Sequence, residues 1–247
     1  TSQPLRDPPG STYQYSSGDT NVLSAVARAA LEPKHGERYP WVVLFEPLGI
    51  ESAVWERDGS GLPIGSSYVY MTPRDMARYG GLRLDDGSWG SERRLPPACW
   101  ARAAQVNVPM TQKSYERSEG DVPGWNLWLN RPVPELGEES PWPEAPEDVY
   151  CALGHWRQSI CALPTQGLIV ARAGDDRDKT FSYDDFLPMA IALAEVVPSE
   201  AEPTEATEEA PAEEASATGF ATLGDAERPP PNAEPAASPP DKYDVGL

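Results

Sequence analysis

Three short clusters in this 247-residue chain carry side chains able to do chemistry. Tyr15-Ser16-Ser17 stands just before one helical pattern, Gly65-Ser66-Ser67 before another, and Gly154-His155-Trp156-Arg157-Gln158 opens a strand-like run. A phenol and an imidazole can each handle a proton. A hydroxyl becomes a nucleophile only with a base within hydrogen-bond reach, because at its free pKa almost no alkoxide exists. Each cluster also has an ordinary reading. A Tyr in a Ser-rich loop is commonly a turn residue, a His beside a Trp is commonly structural, and loop hydroxyls such as those of Ser66 and Ser67 commonly bond their own backbone.

The elements that must position these residues follow from periodicity. Asp19 can cap a helix over 20–31, in which Val22, Val26 and Ala29 or Ala30 recur at helical spacing, and this leaves Tyr15 on the preceding loop. Thr72-Pro73-Arg74-Asp75 joins a capping hydroxyl, a Pro at the first helical position and an acid at the third, predicting a helix to about Leu84 with Asp85-Asp86-Gly87 as the turn after it. Residues 96–104 read as a further short helix. Gly124 to Asn130 reads as a strand with Trp125, Leu127 and Leu129 on one face and Trp128 on the other. His155 to Leu163 and Gly167 to Ala173 read as a hairpin across Pro164-Thr165-Gln166. Ser182 caps a last helix whose Phe186, Met189 or Ala190, Leu193 and Val197 should lie across a sheet. The class is mixed α and β with an antiparallel sheet.

Composition narrows the partners. Lys and Arg number 20 against 39 Asp and Glu, a formal charge of -19, so binding nucleic acid by neutralising phosphates is not expected. The longest apolar stretch, Met189 to Val197, is interrupted by Glu195 and falls far short of the roughly 20 residues that span a bilayer. No membrane span is expected. Cys99, Cys151 and Cys161, with only His35 and His155, lack the paired spacing of a zinc site. No metal or cofactor is expected. A Cys151–Cys161 bridge across a hairpin is compatible with the spacing, as are buried free thiols. From Pro198 to Leu247 there are 12 acidic and 2 basic residues, nine Pro and eleven Ala, and all eight Trp lie earlier. Such a stretch cannot bury enough surface to offset its ordering entropy, so 198–247 is expected to be a disordered acidic tail behind a domain over 1–197. Pro132 to Asp148, with five Pro and six acidic residues, is expected to be an exposed loop. The opening Thr-Ser-Gln-Pro-Leu has no signal-peptide character, and the chain is expected to have lost something upstream.

The order of the motifs resembles the β-lactamase-related serine hydrolases, a family of class C β-lactamases, penicillin-binding esterases and peptidases, and 6-aminohexanoate-dimer hydrolases. The resemblance rests on Tyr15-Ser16-Ser17-Gly18-Asp19-Thr20-Asn21, then Pro47-Leu48-Gly49-Ile50, then Met71-Thr72-Pro73-Arg74-Asp75-Met76-Ala77-Arg78-Tyr79-Gly80, and then Gly154-His155 before a hairpin ending in Val170-Ala171-Arg172. It covers about Pro8 to Gly174, and the region 55–100 looks most like the esterase and amide-hydrolase branch. The resemblance implies an α+β, β-lactamase/transpeptidase-like fold with an antiparallel sheet flanked by helices. It implies hydrolysis of a small-molecule ester or amide through an acyl-enzyme formed on the Ser of a Ser-x-x-Lys pair.

Carried over by position, Tyr15 would be the proton-handling tyrosine, Ser17 the third member of its motif, and His155 the opening residue of the strand motif, with Gln158 just after it. Arg157 occupies a position where the family has Gly. It would narrow the cleft, the favoured reading, or bind a substrate carboxylate bidentately. No Ser is followed three positions later by Lys: Ser11 meets Gln14, Ser16 Asp19, Ser24 Ala27 and Ser114 Arg117. The fold is accordingly expected to be incomplete and this chain alone inactive. Two further expectations are a separate N-terminal fragment as partner, or a noncatalytic binding protein on a decayed hydrolase scaffold. The resemblance leaves the compartment open. A periplasmic or exported protein is expected if the full-length form carries a signal peptide.

Overall fold

The computed structural model describes residues 4–95, 103–104 and 122–196. The acidic tail, Cys99 and most of the expected 96–104 helix lie outside these residues.

Four antiparallel strands form the main sheet in the order β5 (Trp128–Leu129), β6 (Tyr150–Leu153), β7 (Ser159–Leu163) and β8 (Leu168–Arg172). Two-residue pairs, β1 (Val54–Trp55) with β2 (Val69–Tyr70) and β3 (Ser88–Trp89) with β4 (Glu92–Arg93), lie earlier in the chain. Alternation along the main strands splits the core between the two sheet faces. Cys151, Cys161, Leu163 and Val170 pack with Tyr183 and Leu187 of the last helix, α3 (Tyr183–Val196). Leu129, Tyr150 and Ala162 pack on the other face with Val122, Leu127 and Val133.

Helix α2 (Pro73–Leu84) begins as its sequence predicts, with Thr72 Oγ1 accepting from Asp75 N. It lies against β7 and β8 at a distance that only glycine allows: a Cβ on Gly80 would stand 2.5 Å from Ile169 Cγ2. Asp75 ties its start to the preceding segment. One carboxylate oxygen accepts from Glu51 N, Ser52 N and Ser52 Oγ, and the other from Arg78. Burial alone would raise this carboxyl, but those hydrogen bonds outweigh it and hold it at about 2. Phe45, Leu48, Ile50, Ala53 and Leu82 form the third part of the core.

Several expectations need correction. Helix α1 spans Ser17–His35 and is capped by Ser16, whose hydroxyl accepts from Asp19 N; Asp19 lies in the first turn instead. The Val22, Val26, Ala29 and Ala30 stripe is exposed rather than packed. The 124–130 strand shrinks to Trp128–Leu129, since Asn126 adopts a left-handed backbone (φ 56) and leaves Trp125 61% exposed. Residues 132–148 are anchored rather than merely exposed. The buried Asn130 amide donates to the carbonyls of Trp142, Ala145 and Pro146 and accepts from Trp142 N. Ser182 caps α3 as expected, and Phe186 and Ala190 of the expected stripe pack on the core beside Tyr183, Leu187 and Ile191, while Met189 and Leu193 are exposed and Val197 lies outside the described residues. Cys151 and Cys161, directly opposed on β6 and β7, form a disulfide.

Candidate active site

His155, Arg157 and Gln158 share one tight turn between β6 and β7. The expected strand therefore starts only at Ser159, with residues 155–157 forming a single 3-10 turn. Gly154 N donates to Gln158 O at 2.7 Å, which closes the loop. Trp156 (φ 51) and Arg157 (φ 62) both adopt the left-handed backbone. For non-glycine residues this costs on the order of 1–3 kcal/mol each and persists only where the surroundings enforce it.

Here the surroundings do so. The Arg172 guanidinium donates to Arg157 O at 2.7 Å and reaches Trp156 O at 3.5 Å. Tyr183 donates its hydroxyl to Arg157 O, and Asp176 N donates to Trp156 O. The guanidinium itself is clamped. It lies 3.8 Å from the Phe181 ring centroid, and a Cβ on Gly174 would come within 2.2 Å of its Nη1. Asp176 fixes the covering loop by accepting from Thr180 N and Phe181 N, while its second, buried oxygen faces Arg157 Nε at 3.9 Å. The Trp156 ring lies 4.4 Å from the ring of His155, and the Arg177 guanidinium lies 4.1 Å from it. His155 and Gln158 are exposed and Arg157 is half-buried.

Tyr15 occupies the neighbouring sheet edge. Its ring lies 5.7 Å from Trp128 on β5, and Tyr13 meets the same indole edge-on at 6.4 Å. Burial pushes the Tyr15 phenol up from its ordinary value, so near neutral pH it is protonated. Ser17 is the first residue of α1 and half-buried. Trp128 pairs with Cys151 on β6, and β6 leads through Gly154 into the His155 turn. Tyr15 thus packs on the strand next to the one that delivers His155, and the turn begins roughly 10 Å along β6 from Cys151 at 3.3 Å per residue. Among the described residues no hydrogen bond joins the two, and no cluster of three or more His, Cys, Asp or Glu could hold a metal.

The sequence reading named His155, Arg157 and Gln158 but placed them at the head of a strand, and it missed the clamp on their turn, since Arg172, Gly174, Asp176 and Tyr183 are spread over the hairpin end and the α3 entry. It also missed Tyr13. The i, i+2 spacing of Tyr13 and Tyr15 in an extended segment, which puts both rings on one side, was the available signal. Ser67 Oγ donates to Ser66 O, the ordinary role for that cluster.

The Beta-lactamase family model matches residues 1–191. The chain belongs to this family. Among solved structures, one described as a 6-aminohexanoate-dimer hydrolase from Bacillus anthracis aligns at a TM-score of 0.56 and 19% identity, covering 76% of this chain and 44% of that one. A protein described as a beta-lactamase from Bacteroides dorei aligns at 0.53 and 15% identity over 78% of this chain and 61% of that one. Another, a beta-lactamase from Mycobacterium bovis, aligns at 0.50 and 19% identity over 76% and 65%. At these identities the likeness establishes the fold. This chain of the Beta-lactamase family spans less than two thirds of the length of each. No curated protein sequence matches it.

Proposed function

We propose that this chain supplies the tyrosine- and histidine-bearing part of the acyl-transfer site of a serine hydrolase acting on a small ester or amide, with the nucleophile contributed by polypeptide outside these 247 residues. The observation that carries the reading is the seating of Tyr15 on Trp128, whose strand pairs with the one that leads into the His155 turn. The serine oxygen would bond to the substrate carbonyl carbon, and the alcohol or amine would leave with the proton given up by that serine. Water would then cleave the acyl bond. A neutral phenol both accepts and donates a hydrogen bond, so the buried, protonated Tyr15 can pass that proton on. The rigid 154–158 turn would present His155 and Gln158 to the substrate.

The test is intact-mass analysis after exposure to a fluorophosphonate probe and to benzylpenicillin. The chain by itself should form no adduct. When it is co-expressed with the polypeptide encoded immediately upstream of Thr1, an adduct should form on that polypeptide, and Tyr15→Phe should slow it by about a hundredfold or more. An adduct on the isolated chain, or one indifferent to Tyr15, refutes the reading.

A second reading, a noncatalytic binding protein on this scaffold, is favoured by Arg157. Its neighbour Asp176 competes with any substrate carboxylate for the guanidinium, which supports obstruction over recruitment. If Arg157→Gly leaves the co-expressed protein without adduct, while both polypeptides remain folded, the noncatalytic reading is preferred.

A further inference from the structure

The β1–β2 ribbon is strapped to helix α1 by the segment that joins its two strands. Arg28 donates to Ser60 O at 3.0 Å, Ser24 Oγ donates to Pro63 O at 2.6 Å, and Gly65 N donates to Asn21 Oδ1 at 2.9 Å. These contacts step back along α1 as the chain moves forward. Residues 60–65 therefore run antiparallel to the helix and arrive at its first turn, just after the Tyr15 loop. The approach there is close, since a Cβ on Gly65 would stand 2.9 Å from Thr20 O and from Ser24 Cβ. The chain then turns through residues 64–67, with Ser67 N donating to Ile64 O, and enters β2.

Tyr68 stands between this turn and β2, in a left-handed backbone (φ 65) pinned where Glu56 N donates to Tyr68 O. A residue with a Cβ holds that conformation at a cost that glycine would not incur. Core packing does not offset the cost, because Tyr68 is 38% exposed and belongs to none of the three core clusters. The same end of α1 carries the Tyr13 and Tyr15 rings, both seated on Trp128. We propose that Tyr68 is a specificity-determining residue, which with Tyr13 and Trp128 forms an aromatic wall beside Tyr15 and receives a flat apolar group of the substrate. The favoured substrates are then aryl or arylalkyl esters and amides. Backbone strain retained at an exposed aromatic side chain points to recognition rather than packing. Tyrosine suits that role, since its ring offers a large apolar face at the cost of two χ angles while its hydroxyl stays in water. Rings meet one another offset or edge-on with a gain beyond their buried area, so an aryl group on this wall is favoured over an aliphatic one of similar size. The inference rests on the hydrolase reading for the role of Tyr15 and adds the class of group held next to it.

The experiment titrates the full chain with phenylacetamide and, for comparison, with acetamide, following the Trp128 indole signal in 15N spectra. Phenylacetamide should shift that signal and acetamide should not. Tyr68→Gly should raise the dissociation constant for phenylacetamide about fivefold or more, whereas Tyr68→Phe, which keeps the ring, should leave it within about twofold. Glycine adopts the left-handed backbone freely, so Tyr68→Gly should keep the wild-type circular dichroism, and misfolding cannot imitate the effect. A Trp128 signal that phenylacetamide leaves in place, or binding indifferent to Tyr68→Gly, overturns the inference. Fluorophosphonate labelling of the chain co-expressed with the polypeptide encoded immediately upstream of Thr1 separates the two readings. Tyr68-dependent binding with no adduct leaves the aromatic wall standing and sinks the hydrolase site, and an adduct on the upstream polypeptide with Tyr68-indifferent binding does the reverse.

Discussion

Asp75 and Arg172 each hold their surroundings in place, and they do so in opposite ways. Asp75, itself buried, is the acceptor for two backbone and two side-chain donors. With its folded pKa depressed from 3.8 to about 2, its contribution is complete above the unfolded value and fades as pH falls through the interval between the two. Asp75→Asn should therefore cost about 1–3 kcal/mol near neutrality and much less at pH 2, as measured by urea unfolding at both pH values. Arg172 is the donor that keeps two left-handed residues in place. Arg172→Met should speed amide exchange in peptides covering 154–158 while leaving the β7–β8 ladder protected, and Arg172→Lys, which lacks the planar fork, should rescue only part of the protection.

The elements differ in how plainly the sequence announces them, and the difference is physical. Helix α2 is written in local signals, a capping hydroxyl followed by Pro and Asp, so its limits were readable. The 155–157 turn is imposed from a distance by Arg172, Asp176 and Tyr183, and neither Trp156 nor Arg157 has a propensity that would reveal a left-handed backbone. Helix α1 shows the reverse error: its periodicity was legible, but periodicity names a face and not what covers it. The packing of α2 on the sheet hangs on a missing methyl group. Gly80→Ala should cost about 1–3 kcal/mol in chemical denaturation by overpacking Ile160 and Ile169, despite the better helix propensity of alanine.

At the scale of the molecule, the described residues combine a well-filled sheet core with apolar side chains left in water on two helices, Val22, Leu23 and Val26 on α1 and Met189, Leu193 and Val196 on α3. None of the helices among the described residues is long and apolar enough to cross a membrane. The Tyr15 and His155 segments, although 140 positions apart in the chain, are joined through β5 and β6, a link that two-residue pairing makes nearly invisible in sequence. The Cys151–Cys161 bridge lies inside the same hairpin, with its residues 0% and 1% exposed. Dithiothreitol can attack that sulfur pair only when the α3 side chains packed over it, Tyr183 and Leu187, move away. The rate of reduction should then level off as thiol is added, and the plateau is a clock for how often α3 lifts off the hairpin carrying His155.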